Sequence, residues 1–425
     1  MPAVPDSVAL PGPLAAVEPV PAPPPGPAAP AVQGARPGLA LFAFALAGFC
    51  SFLGFNATMP LLPLLREVFG ATRAEAALTV SAPAIAVALA SPFVGLLTRR
   101  LGHRSVIVWS LLVLPIPTLL AATAPSLHAL VAWRFLQGLV VPGIYAVTMA
   151  YLTAEWPAVG LGRAMSALVT GNVVGGFTGR FLSGIAAEHL GGWRAAFVLL
   201  GVMTAVAAVT ASRLLPRDGR AGASPPPGRP ERARPRDLLG EPRLLATFAV
   251  GFMVLFTFTA TFTYVTFLLS APPFGLGTSA LSYLFTVYLV GVVITPFAGR
   301  WIDRVGSRRA ITVALGAALA GGALTLAPSL PLVVVGLTAI STAVFVSQSA
   351  STTYLRTAAA PRARAAASGI YVAVYYVGGA MGGVVPALAW RLGGWTACVA
   401  LFATVQLGTI LLARRAWRAP APEAA

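Results

Sequence analysis

Arg134 and Arg180 interrupt long apolar runs of this sequence, and no Asp or Glu lies at a comparable depth in any such run. A guanidinium held in hydrocarbon costs about 2.5–3.5 kcal/mol on insertion scales, so it normally faces a water-filled cavity or a partner. Gln137 stands three residues from Arg134 and Tyr145 eleven, which places all three on one helical face. Asn56, Asn172, Tyr264, Tyr288, Gln348, Tyr375 and Tyr376 are further polar or amphipathic side chains inside apolar runs. The chemistry open to such a set is non-covalent: hydrogen bonds, charge and ring faces that hold a small solute. Two arginines without an acid at mid-depth favour an anion, whereas the amides and tyrosines suit a neutral or amphipathic solute. A competing reading puts Arg134 in an internal structural network with Glu188 as counter-ion, and makes each tyrosine a packing residue.

Covalent chemistry finds no support. No H-E-x-x-H or G-x-S-x-G motif is present, and three His with two Cys do not form a metal cluster. No metal and no cofactor are expected. Without a single Lys the chain cannot carry a Walker sequence, so it does not drive transport with ATP by itself. A coupling proton remains the candidate second cargo. The acids eligible to carry it are Glu75, Glu155 and Glu188, near the ends of apolar runs, with His128 and His189 as titratable neighbours. Cys50 and Cys398 each sit in an apolar run and read as small packing residues.

The elements that position these groups follow from composition. The 425 residues are 57% hydrophobic and 10% charged, with mean hydropathy +0.82. A soluble domain carries about 25% charged residues, so a lipid bilayer is the expected surroundings. Spanning helices need roughly 20 apolar residues. Twelve such runs are legible: 38–62, 76–97, 105–123, 127–152, 162–187, 194–214, 243–269, 278–300, 308–327, 331–355, 364–390 and 395–414. The fold class expected is an all-α membrane protein. If the chain starts in the cytoplasm, 23 arginines fall on that side, 4 on the other and 2 within helices. That asymmetry obeys the positive-inside rule with both termini cytoplasmic, in the inner (plasma) membrane. It also explains the net charge of +17 without a nucleic-acid partner, since no basic patch is interleaved with aromatics. Residues 1–37 hold twelve prolines and read as a disordered cytoplasmic tail. Residues 215–242 are Pro-rich and basic and read as a cytoplasmic linker between bundles at 38–214 and 243–415, with a second tail at 416–425. No sizeable soluble domain is left to make the chain a sensor, and it is expected to work as a monomer.

The halves repeat. GLLTRRLGHR at 95–104 aligns with GRWIDRVGSRR at 299–309, matching Gly95 to Gly299, Arg100 to Arg304, Gly102 to Gly306 and Arg104 to Arg308. EHLGGWRAAF at 188–197 likewise aligns with WRLGGWTACV at 390–399. Two six-helix halves related about the membrane normal are one plan of secondary transporters. The glycines Gly171, Gly175 and Gly179, and Gly378, Gly379, Gly382 and Gly383, form small-residue faces that let helices approach closely in lipid. They read equally as static packing and as faces along which the halves slide.

The second basic loop, with Gly299, Asp303, Arg304, Gly306 and Arg308, resembles the G-x-x-x-D-R-x-G-x-R signature of the major facilitator superfamily. The first copy departs from it, with Arg99 where the family has Asp. RFLQG at 134–138 resembles the fourth-helix element of that family's drug-efflux branch, and GNVVGGFTGR at 171–180 its fifth-helix motif G-x-x-x-G-P-x-x-G-G. In the latter Gly176 replaces Pro and Arg180 replaces the last Gly. With YYVGGAMGG at 375–383, the chain is most similar to bacterial AraJ/YnfM-type efflux permeases over roughly 38–415. The resemblance implies the major facilitator fold, a small-molecule substrate, efflux by proton antiport and alternating access. It also implies a gate made by Gly95, Arg99, Arg100, Gly102, Arg104 and their second-half counterparts, with Asp303 capping a helix N-terminus. Uptake or uniport of an organic anion is the alternative, and so is a purely topological role for the arginines of the loops.

Overall fold

A computed structural model of the protein describes residues 37–157, 159–216, 238, 240–360 and 363–417. Residues 1–36 and 418–425 of the two anticipated tails and most of the linker lie outside the described residues; Pro37 and Ala416 are helical and Trp417 is buried. Among the described residues all regular structure is helical. In chain order the helices are α1 Pro37–Leu53, α2 Leu62–Val68, α3 Arg73–Leu101, α4 His103–Val113, α5 Pro115–Ala122, α6 Leu127–Glu155, α7 Leu161–His189 and α8 Trp193–Leu214. There follow α9 Pro242–Ser270, α10 Thr278–Leu284, a 3-10 turn Phe285–Leu289, α11 Val290–Val305, α12 Ser307–Leu324, α13 Leu330–Ala358, α14 Arg364–Val384 and α15 Pro386–Ala416.

These pieces make the twelve crossings expected, but several crossings are broken. Eight helices are long and apolar enough by themselves to span a membrane, counting His103–Ala122 as one. The first crossing is α1 and α2 joined by an irregular turn at 54–61, where Pro60 and Pro63 deny the backbone its helical bonds. Pro115 and Pro117 divide α4 from α5 in the third crossing. The eighth is interrupted by the 3-10 turn, and α15 contains non-helical Gly393 and Gly394, so its first turns finish the eleventh crossing. Hydropathy smooths over such breaks, which is why 38–62 and 278–300 read as single runs.

Short loops force successive crossings to run antiparallel. The loops at 101–103, 156–160, 305–307 and 359–363 therefore share one end of the bundle, called here the basic end. Helix starts at the opposite end are set by local chemistry. Thr72 and Glu75 form a reciprocal cap on α3, with the Glu75 N–H donating to Thr72 Oγ1 at 3.2 Å and the Thr72 N–H to Glu75 Oε2 at 2.7 Å. Ser126 caps α6 by accepting from the Ala129 N–H at 3.2 Å.

The sequence repeat is a backbone repeat. Gly102 has φ 81° and ψ 160°, and Gly306 has φ 82° and ψ 148°. Each ends one helix and starts the next, a left-handed corner that a residue with Cβ resists. The buried residues form two main clusters. One is drawn from residues 40–215 plus Ala380, the other mostly from residues 250–417. The glycine faces pack inside these halves. A Cβ on Gly171, Gly175 or Gly179 of α7 would strike the carbonyl oxygens of Ala45, Phe49 and Leu53 on α1. A Cβ on Gly378 or Gly382 of α14 would strike those of Phe252 and Phe256 on α9, and Gly379 faces Leu255. The sliding of one half on the other anticipated for these faces is therefore not where most of them lie. Gly383 alone of the set meets the other half, at Ser81 Oγ and Ala77.

Candidate functional site

Arg134 is wholly enclosed, at 0% exposure. Its Nε donates to the Thr79 carbonyl at 3.1 Å and its Nη1 to the Gly54 carbonyl at 2.6 Å, with Gln137 Oε1 and the Phe55 carbonyl as further acceptors. Gln137 Nε2 passes the network to Thr118 Oγ1 at 2.9 Å. The cause lies in the broken first crossing. Unwinding at 54–61 frees carbonyls at membrane depth, where no water can take them, and irregular backbone survives there only if protein groups satisfy it. Arg134 and Gln137, both placed by α6, do so, and both are buried. The counter-ion anticipated for Arg134 is not Glu188. That carboxylate accepts the Ser279 N–H at 2.7 Å at the start of α10, and among the described residues no carboxylate pairs with Arg134 or Arg180.

Arg180, on α7, is 1% exposed and differently served. Nη1 donates to the Gly176 carbonyl at 2.7 Å and the guanidinium shares a side-chain hydrogen bond with Tyr288, while Nε and Nη2 are buried with no partner in hydrogen-bond geometry. The guanidinium stands over the Tyr288 ring at 4.5 Å and the Phe285 ring at 5.7 Å, both on the 3-10 turn of the eighth crossing. The two departures of the fifth-helix motif are thereby one feature. A Cβ at Gly176 would come within 3.3 Å of Arg180 Nη1, so the guanidinium lies where a larger residue would reach.

Near Arg180, buried and half-buried rings converge from both halves. Phe52 packs edge-on to Tyr145 at 5.6 Å, Phe55 to Tyr376 at 5.8 Å, and Tyr375 to Tyr376 at 5.7 Å. Tyr145 shares a side-chain hydrogen bond with Asn172. Tyr371 stacks on Tyr375 at 5.9 Å and donates to Gln348 Oε1 at 3.3 Å. The structure thus gathers Tyr145, Asn172, Arg180, Tyr288, Gln348, Tyr375 and Tyr376. Tyr264 is elsewhere: fully buried, its hydroxyl donates to the Gly383 carbonyl at 2.9 Å and ties α9 to α14. Asn56 sits half-buried in the irregular turn. Phe52, Phe55, Phe285 and Tyr371 escaped the sequence reading. Tyr371 had a signal, since it precedes Tyr375 by one helical turn; the phenylalanines had none that separates them from lipid-facing rings.

The two ends of the bundle differ. Several hydrogen bonds and ring contacts join residues before 217 to residues after 238 at mid-depth or at the end away from the basic loops. Ser81 Oγ donates to the Ala380 carbonyl at 2.6 Å, and Ser282 Oγ to the Arg180 carbonyl at 2.9 Å. Ser279 Oγ lies 3.3 Å from His189 Nε2, and Phe181 meets Tyr283 edge-on at 5.3 Å. A Cβ on Gly184 would strike Ser282. At the basic end several contacts lie within the first half. Arg104 reaches the Leu215 and Ser212 carbonyls at 3.3 Å each, and His103 pairs with Glu155 at 2.9 Å. Leu96, Leu97, Arg99, Arg100, Asp303, Arg304 and Arg308 are exposed, and a Cβ on Gly95 or Gly299 would meet nothing within 4 Å. Asp303 stands in the last turn of α11, not at a helix N-terminus.

The likeness to known proteins agrees with this architecture. The chain is 28% identical over 384 residues to the uncharacterized MFS-type transporter YybF of Bacillus subtilis (strain 168), covering 87% of this chain and 91% of that protein. It is 29% identical over 393 residues to the inner membrane transport protein YnfM of Escherichia coli (strain K12), covering 91% of each. Its fold matches a bacterial homologue of the human lysosomal transporter Spinster, solved inward-facing and unoccupied, with TM-score 0.69 over 90% of this chain and 96% of that one at 17% identity. The family profile described as Major Facilitator Superfamily matches residues 44–383 and 270–425. Profile, relatives and fold agree, and the chain belongs to the Major Facilitator Superfamily, whose members are membrane transporters of solutes and not enzymes.

Proposed function

We propose that this transporter exports a small organic solute across the inner membrane by alternating access, with proton antiport as the energy source. The observation that carries the access cycle is where contacts between the halves are found: Ser81 to Ala380 at mid-depth, and Glu188, His189 and Arg180 to Ser279 and Ser282 toward the end away from the arginines. The 23-to-4 arginine distribution supports a cytoplasmic basic end with both termini cytoplasmic, and with it an inward-facing reading of the conformation. The halves 38–214 and 243–415, joined by the linker 215–242, rock about the aromatic cluster. The name of YnfM and the efflux-like motifs at 134–138 and 171–180 support the membrane and the direction. Glu188 supports proton coupling best of the acids: it holds Ser279 across the sealed end, so its protonation would release a contact between the halves. Glu75 and Glu155 are engaged within one half. The chain works as a monomer and binds no nucleic acid.

A second reading, uniport or uptake of an organic anion, is favoured by the partner-poor Arg180. Accumulation of a solute panel in inverted membrane vesicles separates the two. Export by antiport predicts accumulation only while the vesicle interior is acid. Accumulation to the outside concentration and no further, whatever the gradient, would replace it with uniport.

A further inference from the structure

We infer that Arg180 is the carboxylate-binding residue of the transported solute, which is therefore an organic anion; the inference rests on the transporter reading and names the solute class of that site. Three observations carry it. The guanidinium is buried, and the described membrane interior supplies no acid to balance it. Glu188 lies eight residues along the same helix, about 12 Å away by helical rise, and its carboxylate is committed to Ser279. A buried cation left without a counter-charge is costly to keep, and removing one partner-less charge from an interior does not lower stability as breaking a pair does.

The second observation is which nitrogens lack partners. Nε and Nη2 form the side edge of the guanidinium, the two parallel N–H donors that match the two oxygens of a carboxylate. The third is that the rest of the group is already held. Nη1 is fixed on the Gly176 carbonyl, and one face rests on Tyr288. The fork is oriented by both halves before any ligand arrives. The same residue lies in the seam, since its carbonyl accepts from Ser282. A solute bound there touches the contact whose opening completes the cycle.

The test uses the purified full-length protein in detergent micelles. Thermal unfolding is followed with acetate, benzoate, lactate and succinate, each against its amide. The inference expects at least one carboxylate to raise Tm saturably while its amide does not. Arg180→Gln should weaken that carboxylate at least about tenfold, and Arg180→Lys, which keeps the charge and loses the fork, by less. Without ligand, Arg180→Gln should be at least as heat-stable as the wild type. The inference is overturned if no carboxylate outdoes its amide, if the effect survives Arg180→Gln, or if Arg180→Gln lowers Tm or fails to fold. Binding in micelles needs no transport. A protein that binds carboxylates through Arg180 yet accumulates nothing in vesicles leaves this inference standing and removes the export reading.

Discussion

Two arginines of one type, at similar depth on adjacent helices, have opposite surroundings. Arg134 serves backbone carbonyls at Gly54, Phe55 and Thr79, so its charge is solvated by the protein itself. Arg180 has one carbonyl, the Tyr288 side chain and two ring faces. Truncation should therefore have opposite signs. Arg134→Gln strands several buried acceptors and should cost about 2–3 kcal/mol, read as a clear fall in Tm of the micellar protein. An unchanged Tm would show that the turn at 54–61 does not depend on Arg134. The sequence made both arginines visible by their cost in hydrocarbon. It could not tell them apart, because the distinction depends on whether another crossing unwinds beside them. The spacing of Gln137 from Arg134 did place both on one face, but that face looks at a broken helix and not at a cavity.

At the scale of elements, the glycines decide how near helices come. α7 lies on α1, and α14 on α9, at distances only Gly allows, and these are equivalent pairs in the two halves. Gly179→Ala puts a methyl group against the Leu53 carbonyl. It should destabilise by about 1–3 kcal/mol through forced separation of the helices. Gly316→Ala, in the middle of α12 with open space around it, should gain up to about 1 kcal/mol from helix propensity. Folded yield and Tm of the two variants compare the effects directly; equal behaviour would mean that the α1–α7 contact yields without strain. Period-four glycines were legible in the sequence as close-packing faces. Which partner they face was not, since a small-residue stripe fits any helix with a matching groove.

For the whole molecule, the asymmetry of the two ends makes a prediction about access. Asn172→Cys, beside the aromatic cluster, should react with a membrane-impermeant thiol reagent supplied from the basic end. Ser282→Cys, fully buried in the sealed end, should not. Cys50 and Cys398 are both buried and give a quiet background. Asp303→Asn should raise labelling at Asn172→Cys and slow turnover at normal expression, because an exposed Asp303 is available only for closing the basic end. Labelling and turnover both unchanged would leave the loop as a topological anchor.

The sequence alone determined the surroundings, the number of crossings and the internal repeat, and it set the expected orientation. Each of these is a sum over many residues: hydropathy over about twenty positions, charge over every loop, and two loops alike enough to align. Such sums tolerate local error, which is why broken crossings did not disturb the count. The tertiary structure decided which polar side chains meet. Tyr264 and Arg134 turned to backbone carbonyls, while Tyr145, Tyr376, Tyr288 and Arg180 came together from four crossings and both halves. Those meetings depend on kinks at Pro115 and in the turn 54–61, and on which end is closed. A kink rotates everything beyond it, so the neighbours of a side chain are a property of the packed bundle and not of its own helix.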